Sequence, residues 1–297
     1  LPAHILRAPT GRKLRCLLFD CGETLWSSTT QEMLLPLEQI AHQRALALLR
    51  ERVPPAQLEQ VDQVKLSLHL RTMILKHVRI LAQTAQEREP DLAYGTNLAL
   101  QELGLPEQPR PLAEELFEAF RIPIAASRVL FEDVHSTLTV LQERNFLLGI
   151  VTNRHWGGQP FIDGMKQMGL LTYFAPEKMA ISADLCLRKP HPGIFEYALQ
   201  ALEVAPEEAV MIGDSLRADI AGAQRLNIYS VWKPSPRLYA ELRADSGQQA
   251  IPPEQLLASN KQVEEHKYGL PHPHPLQPDV IIEHLSELLE LFPKVEI

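Results

Sequence analysis

Asp20 closes an apolar run, Cys16-Leu17-Leu18-Phe19, and is followed by the turn Cys21-Gly22 and by Glu23-Thr24. A carboxylate at the carboxyl end of a buried parallel strand stands where α/β enzymes place catalytic aspartates. Three more polar sites follow apolar runs in the same way. Thr152-Asn153 follow the run 147–151, and Lys189 follows Met179–Ile181 in the string Leu187-Arg188-Lys189-Pro190. Gly213-Asp214 follow Val210-Met211-Ile212, with Asp219 a few residues on. Carboxyl ends of parallel strands lie along one edge, so these groups converge although they are far apart in sequence. The chemistry on offer is that of several carboxylates with one lysine and one hydroxyl. Taken singly, each residue has a plainer explanation: turn or helix caps for Asp20, Thr152, Asp214 and Asp219, and an ordinary surface lysine for Lys189.

The elements that must position these groups can be read from patterning. Cys16–Phe19, 146–151, Met179–Ile181, 209–212, 228–232 and 280–282 are short runs rich in Val, Ile and Leu without alternation. That is the pattern of parallel strands covered on both faces. Helical patterns over Val134–Glu143, 193–202 and 219–226 lie between them. The alternation predicts an α/β fold with a doubly wound parallel sheet. Between Trp26 and Phe131 no strand is evident. Leu34, Leu37, Ala41, Ala45 and Leu48 mark one helix face, ended by Pro54-Pro55. A second long helix is expected from Gln57 to Gln86 on Leu58, Val61, Leu68, Leu75 and Val78, with shorter ones over 97–103 and 112–120. The expected domains are therefore a core of 1–25 and 132–297 and an inserted helical domain of 26–131. Residues 233–278 read as an irregular excursion within the core. The last apolar positions, Leu285, Leu288, Leu289 and Phe292, read as a closing helix.

The ordered set of motifs resembles the haloacid dehalogenase superfamily of phosphotransferases and hydrolases. The resemblance covers residues 14–25, 146–153 and 178–232, and the helical segment sits where that family inserts a cap. Gly213-Asp214-Ser215-Leu216-Arg217-Ala218-Asp219 and Arg188-Lys189-Pro190-His191-Pro192 carry it best. It implies a Rossmann-like core with an all-α cap, and Asp20 as a nucleophile that becomes an aspartyl-phosphate. It implies Mg²⁺ bound by Asp20, the Gly22 carbonyl and Asp214, with Asp219 in support. Thr152 would donate to a phosphoryl oxygen and Lys189 would neutralise the transferring group. The implied partner is a small phosphorylated substrate.

The sequence departs from the family at one point. Its phosphatases carry an aspartate two residues after the nucleophile, as acid and then base. Here that residue is Gly22, and the next position, usually glycine, is Glu23. Glu23 is the candidate replacement. Trp26 and Arg154 are candidate substrate contacts, as is Asn153. Other readings stay open: a degenerate member that binds without turnover, or a phosphonate hydrolase using a Schiff base on Lys65 or Lys76. The dehalogenase branch does not need the metal carboxylate Asp214.

The bulk properties bound the reading. The chain has 29 Lys and Arg against 37 Asp and Glu, which disfavours nucleic acid or an anionic membrane as the main partner. No apolar run approaches the length of a membrane span, and the first residues carry no secretory core, so a cytoplasmic location is expected. The chain starts at Leu1 rather than Met, consistent with processing or trimming. Three cysteines, Cys16, Cys21 and Cys186, give no disulfide framework, and Cys21 reads as a small residue filling a turn. His266, His272 and His274 form a weaker candidate metal set on a Pro-rich stretch.

Overall fold

The computed structural model describes residues 3–85, 87–268 and 277–293, except for the side chains of 263–268. The chain forms two compact units: Leu1–Ser28 with Arg128–Ile297, and Thr29–Ser127.

Among the described residues, the first unit has nine strands: β1 (His4–Ile5), β2 (Cys16–Phe19), β3 (Trp26–Ser28), β4 (Arg128–Leu130), β5 (Leu147–Thr152), β6 (Met179–Ile181), β7 (Ala209–Gly213), β8 (Tyr229–Trp232) and β9 (Val280–Ile281). Seven of them make one sheet in the order β1-β9-β8-β7-β2-β5-β6. All neighbours in it run parallel except β1, which pairs antiparallel with β9. From β2 the chain proceeds to β5 and β6 on one side and to β7, β8 and β9 on the other. β2 is therefore the topological switch point, where open α/β sheets place ligand sites. Its residues Cys16, Leu17, Leu18 and Phe19 are fully buried. Burial on both faces explains the unbroken apolar run. The helix Pro192–Leu202 covers one face, packing Ile194, Phe195, Ala198 and Leu199 against Leu18, Val151 and Met211.

Two differences from the sequence reading concern this unit. A two-stranded ribbon of β3 and β4 lies where no strand was expected, pairing Trp26 with Leu130 and Ser28 with Arg128. Strands of three residues that pair across about a hundred positions leave no periodicity to read. The described residues between 233 and 268 are also not irregular. Helices span Pro236–Ser246 and Pro253–Tyr268, and Leu238, Tyr239, Leu242 and Leu256 join a core cluster with Leu216, Trp232 and Ile281. Ser235 caps the first of these helices, Pro236 occupies its opening position and Gly247 ends it with φ 68°. That is an ordinary start and stop signature which the count of prolines masked. His272 and His274 lie outside the described residues, as does the side chain of His266.

The second unit is helical: α1 (Gln31–Arg52), α2 (Pro55–Leu58), α3 (Gln63–Thr84), α4 (Leu92–Glu102), α5 (Arg110–Ala119) and α6 (Ile124–Ser127). α1 buries Ala41, Ala45 and Leu49. The second long helix begins later than expected. Asp62 caps α3 by accepting from the Val64 and Lys65 amides, so the buried face is Leu66, Leu70, Ile74 and Val78. Leu68 is 65% exposed instead. Among the described residues, no helix is long and apolar enough to cross a membrane.

Candidate active site

Asp20 follows the last residue of β2 and is nearly buried. Its amide donates to the Ile212 carbonyl of β7 at 2.9 Å, which registers the strand end. From the far side of the sheet edge, Lys189 reaches it. Lys189 Nζ donates to Asp20 Oδ1 and to the Val151 carbonyl, each at 2.6 Å. It also pairs with Asp219 Oδ1 at 2.6 Å. Burial alone would lower the lysine's pKa, but the carboxylates of Asp20 and Asp219 overcome it and raise the pKa, so Lys189 is a fixed cation.

Asn153 holds this lysine in place. Its Nδ2 donates to the Lys189 carbonyl at 3.0 Å, and its Oδ1 accepts from the Lys189 amide at 2.8 Å. The amide expected to face substrate is therefore engaged at both ends with the Lys189 backbone. Thr152, at the end of β5, is buried. Cys21 is fully buried and its thiol is pushed up to about 12 by desolvation, so it is not a reactive thiolate.

The loop after β7 brings the other carboxylates. The Ser215 amide donates to Asp219 Oδ2 at 2.9 Å, and Ser215 Oγ accepts from the Ala218 amide. The Ile220 amide bonds the Ser215 carbonyl at 3.2 Å, giving one wide helical turn over Leu216–Ala221. Such widened turns recur at functional sites. Gly213 is required beneath it, because a Cβ there would stand 2.2 Å from Asp219 Cγ. Asp219 is 1% exposed, and desolvation raises its pKa against the pull of Lys189. Asp214 is half-buried, with its carbonyl accepting from Trp232 Nε1 at 2.7 Å.

Oxygens of Asp20, Asp214 and Asp219 all lie within 4.8 Å of one another. Three carboxylates against one lysine leave uncompensated negative charge at a largely buried position. Oxygen-only donors at this separation fit a small hard divalent cation such as Mg²⁺.

The Cys21–Trp26 turn is tight. Leu25 and Trp26 amides both donate to the Cys21 carbonyl, at 2.8 and 3.2 Å, and the Glu23 amide donates to the Trp26 carbonyl at 2.6 Å. Gly22 does not need a positive φ, and a Cβ built on it would meet nothing within 4 Å. Glu23 has φ 55°, the left-handed region in which a side chain costs about 1 kcal/mol or more. It is half-buried, and desolvation raises its pKa against the nearby cations Lys233 and Arg128. Trp26 is only 1% exposed, a core residue of the ribbon rather than the expected substrate contact. Arg154 is half-buried, its guanidinium 4.8 Å over the Phe161 ring. In the helical unit Lys65 is exposed, and Lys76 is ion-paired with Glu102 at 3.1 Å. Neither has the desolvated setting that activates a Schiff-base lysine.

A family model described as haloacid dehalogenase-like hydrolase matches residues 14–227. The chain belongs to the haloacid dehalogenase-like hydrolases. Among curated members of that family's likeness, a phosphoserine phosphatase of Thermus thermophilus is 35% identical over 45% of this chain and 51% of its own length. A glyceraldehyde 3-phosphate phosphatase of Pyrococcus furiosus is 39% identical over 36% of this chain and 42% of its own. The chain spans about half the length of the curated relatives it matches. Among solved structures, a 2-haloacid dehalogenase of Pseudomonas syringae aligns with TM-score 0.53 at 24% identity, over 94% of this chain and 97% of that one. The magnesium-bound HAD hydrolase YfnB of Bacillus subtilis aligns with TM-score 0.52 at 20% identity, over 94% and 99%. These two share the fold of the haloacid dehalogenase-like hydrolases.

Sequence reasoning missed one charged residue at this edge. Lys233 directly follows β8, the same position after a strand that marks Asp20 and Asp214, and it is 2% exposed.

Proposed function

We propose that this haloacid dehalogenase-like hydrolase is a Mg²⁺-dependent phosphatase of small phosphorylated metabolites. It works through an aspartyl-phosphate on Asp20, without the acid–base aspartate that Gly22 replaces. The observation that carries this reading is the contact of Lys189 Nζ with Asp20 Oδ1 beside a carboxylate cluster at the switch point. The phosphatase names of the curated relatives support the same reaction class.

In this reading an Asp20 carboxylate oxygen attacks phosphorus in line, and the bond to the leaving oxygen breaks with its electron pair. Lys189 neutralises charge on the equatorial oxygens, and Thr152 donates its hydroxyl to one of them. Mg²⁺, when bound by Asp20, the Gly22 carbonyl and Asp214 with Asp219 in support, relieves the repulsion between carboxylate and phosphate. Glu23 is the carboxyl group available to protonate the leaving alkoxide and later to take a proton from the attacking water. Water attack on the aspartyl-phosphate restores Asp20. Arg154 contacts an anionic part of the leaving group. The helical unit is the cap of this hydrolase.

A second reading, a binding protein with arrested turnover, is favoured by Gly22 itself. One comparison separates the two: steady-state turnover of an aryl and an alkyl phosphate with Mg²⁺, in the native chain and in Gly22→Asp. A phosphatase whose acid is displaced to Glu23 turns over the aryl ester faster and gains on the alkyl ester when the aspartate is restored. No turnover by either protein, with phosphate still bound, selects the binding reading.

A further inference from the structure

Among the described residues, Lys233 is the one buried cation at the sheet edge that the proposed reaction does not use. Its amide donates to the Gly213 carbonyl at 2.9 Å, which fixes its backbone against β7. Its Nζ lies 4.0 Å from the centre of the Phe131 ring. The same Nζ donates to the backbone carbonyl of Glu23 at 3.1 Å. Phe131 is tied to the same turn, since its amide donates to the Leu25 carbonyl at 3.1 Å.

Four carboxylates act on the ammonium through their charge: Asp133 after β4, Asp214 after β7, Glu23 from the turn after β2 and Glu283 after β9. None of them forms an ion pair with it among the described residues. Asp133 accepts from the Ser286 amide at 2.9 Å, and Glu283 pairs with Arg243 at 2.7 Å. Desolvation lowers the lysine to about 8 despite these acids. A lysine serving stability would pair with a carboxylate or extend to water. This one directs its charge at the carbonyl of the residue in the left-handed conformation. That residue carries the only carboxyl group in the turn between Asp20 and β3.

We propose that Lys233 is a positioning residue for the turn after the nucleophile: by gripping the Glu23 carbonyl and stacking on Phe131, it holds the left-handed bend that sets the aim of the Glu23 side chain and of the Gly22 carbonyl. The inference deepens the phosphatase reading and rests on it for its catalytic consequence, but the grip itself is measurable without turnover.

The test uses the full chain with Lys233→Met, which keeps length and apolar bulk, beside Lys233→Arg and Phe131→Leu. Hydrogen exchange of the peptide spanning residues 20–26 reads the grip. Lys233→Met exchanges there about fivefold faster or more, the equivalent of one lost hydrogen bond, while β7 and β8 stay protected. Lys233→Arg restores protection at least in part, and Phe131→Leu loosens the turn to a smaller degree. Turnover reads the consequence. With Mg²⁺ and an alkyl phosphate, Lys233→Met lowers kcat by about 10- to 100-fold, as a small misplacement of a catalytic group does. KM moves by less than about threefold, because no substrate contact is lost. Unchanged exchange at 20–26 overturns the grip. Loosened exchange with unchanged kcat overturns its role in positioning, as does a loss confined to KM. Asp20→Asn that remains active sinks the phosphatase reading and leaves the exchange result standing.

Discussion

At the scale of single residues, the informative fact is an exchange of roles between neighbours. The position two after Asp20 is a glycine with room for a side chain, and the next one is a glutamate in a conformation suited to glycine. Gly22→Asp should therefore fold normally and raise kcat for alkyl phosphates, by less than the full ~10²–10⁴-fold of acid–base help because Glu23 already supplies part of it. Steady-state rates on an alkyl and an aryl ester check it. Glu23→Gln should do the reverse, slowing the alkyl ester by about 10²-fold or more and the aryl ester little. Equal losses on both esters would show that Glu23 does not donate the proton. Lys233 makes a prediction about stability. Its pKa is lowered from 10.5 to about 8 by burial. Between those values the unfolded chain holds a proton that the folded chain has released, so stability rises with pH across that window. Below about pH 8 both states are protonated, and the folded state carries the full cost of the buried charge. Lys233→Met should thus be more stable at pH 7, by up to about 3 kcal/mol, and lose that advantage by about pH 10.5. Urea unfolding at the two pH values decides it; a variant clearly weakened at pH 7 would make the lysine structural.

At the scale of elements, the site depends on how closely the loop after β7 approaches its strand. Gly213→Ala should place a methyl group against the Asp219 carboxylate, forcing the loop off β7. The expected cost is about 1–3 kcal/mol in unfolding free energy, with a greater loss in Mg²⁺-dependent turnover. Retention of wild-type activity would mean that Asp219 need not stand where it does. This scale also shows what could be read in advance. The placement of Asp20, Thr152, Lys189, Asp214 and Asp219 after strands of the sheet was legible because each follows an apolar run that a doubly covered strand explains. Asn153 was expected to face substrate; that its amide bonds with the Lys189 backbone, a contact between loops far apart in sequence, was not legible. Trp26 looked like a loop aromatic because the ribbon that buries it forms only when Leu130 arrives. Lys233 resembled any lysine after a strand; what singles it out is the ring of Phe131 and the carbonyl of Glu23, neither visible in its own segment.

At the scale of the whole molecule, the order of strands explains why residues from four separated segments meet. The sheet grows outward in both directions from β2, so its edge is the one place where the ends of β5 and β7 flank the same residue. The charge gathered there predicts a metal response of the entire fold. Mg²⁺ should raise the melting temperature, with a stabilisation of about 2.7 kcal/mol at a concentration a hundred times its Kd. Chelation should abolish turnover while circular dichroism shows the chain still folded. A melting temperature indifferent to Mg²⁺ in the native chain, or equally responsive in Asp214→Asn, would place the metal elsewhere. The central claim is the covalent step on Asp20. It is tested most directly by mixing the protein with a labelled aryl phosphate and Mg²⁺, quenching in acid within a turnover and mapping the label by peptide. The account predicts a phosphoryl group on Asp20 that accumulates in the native chain, clears faster in Gly22→Asp and is absent in Asp20→Asn. Turnover with no label on Asp20, or label retained in Asp20→Asn, would contradict it.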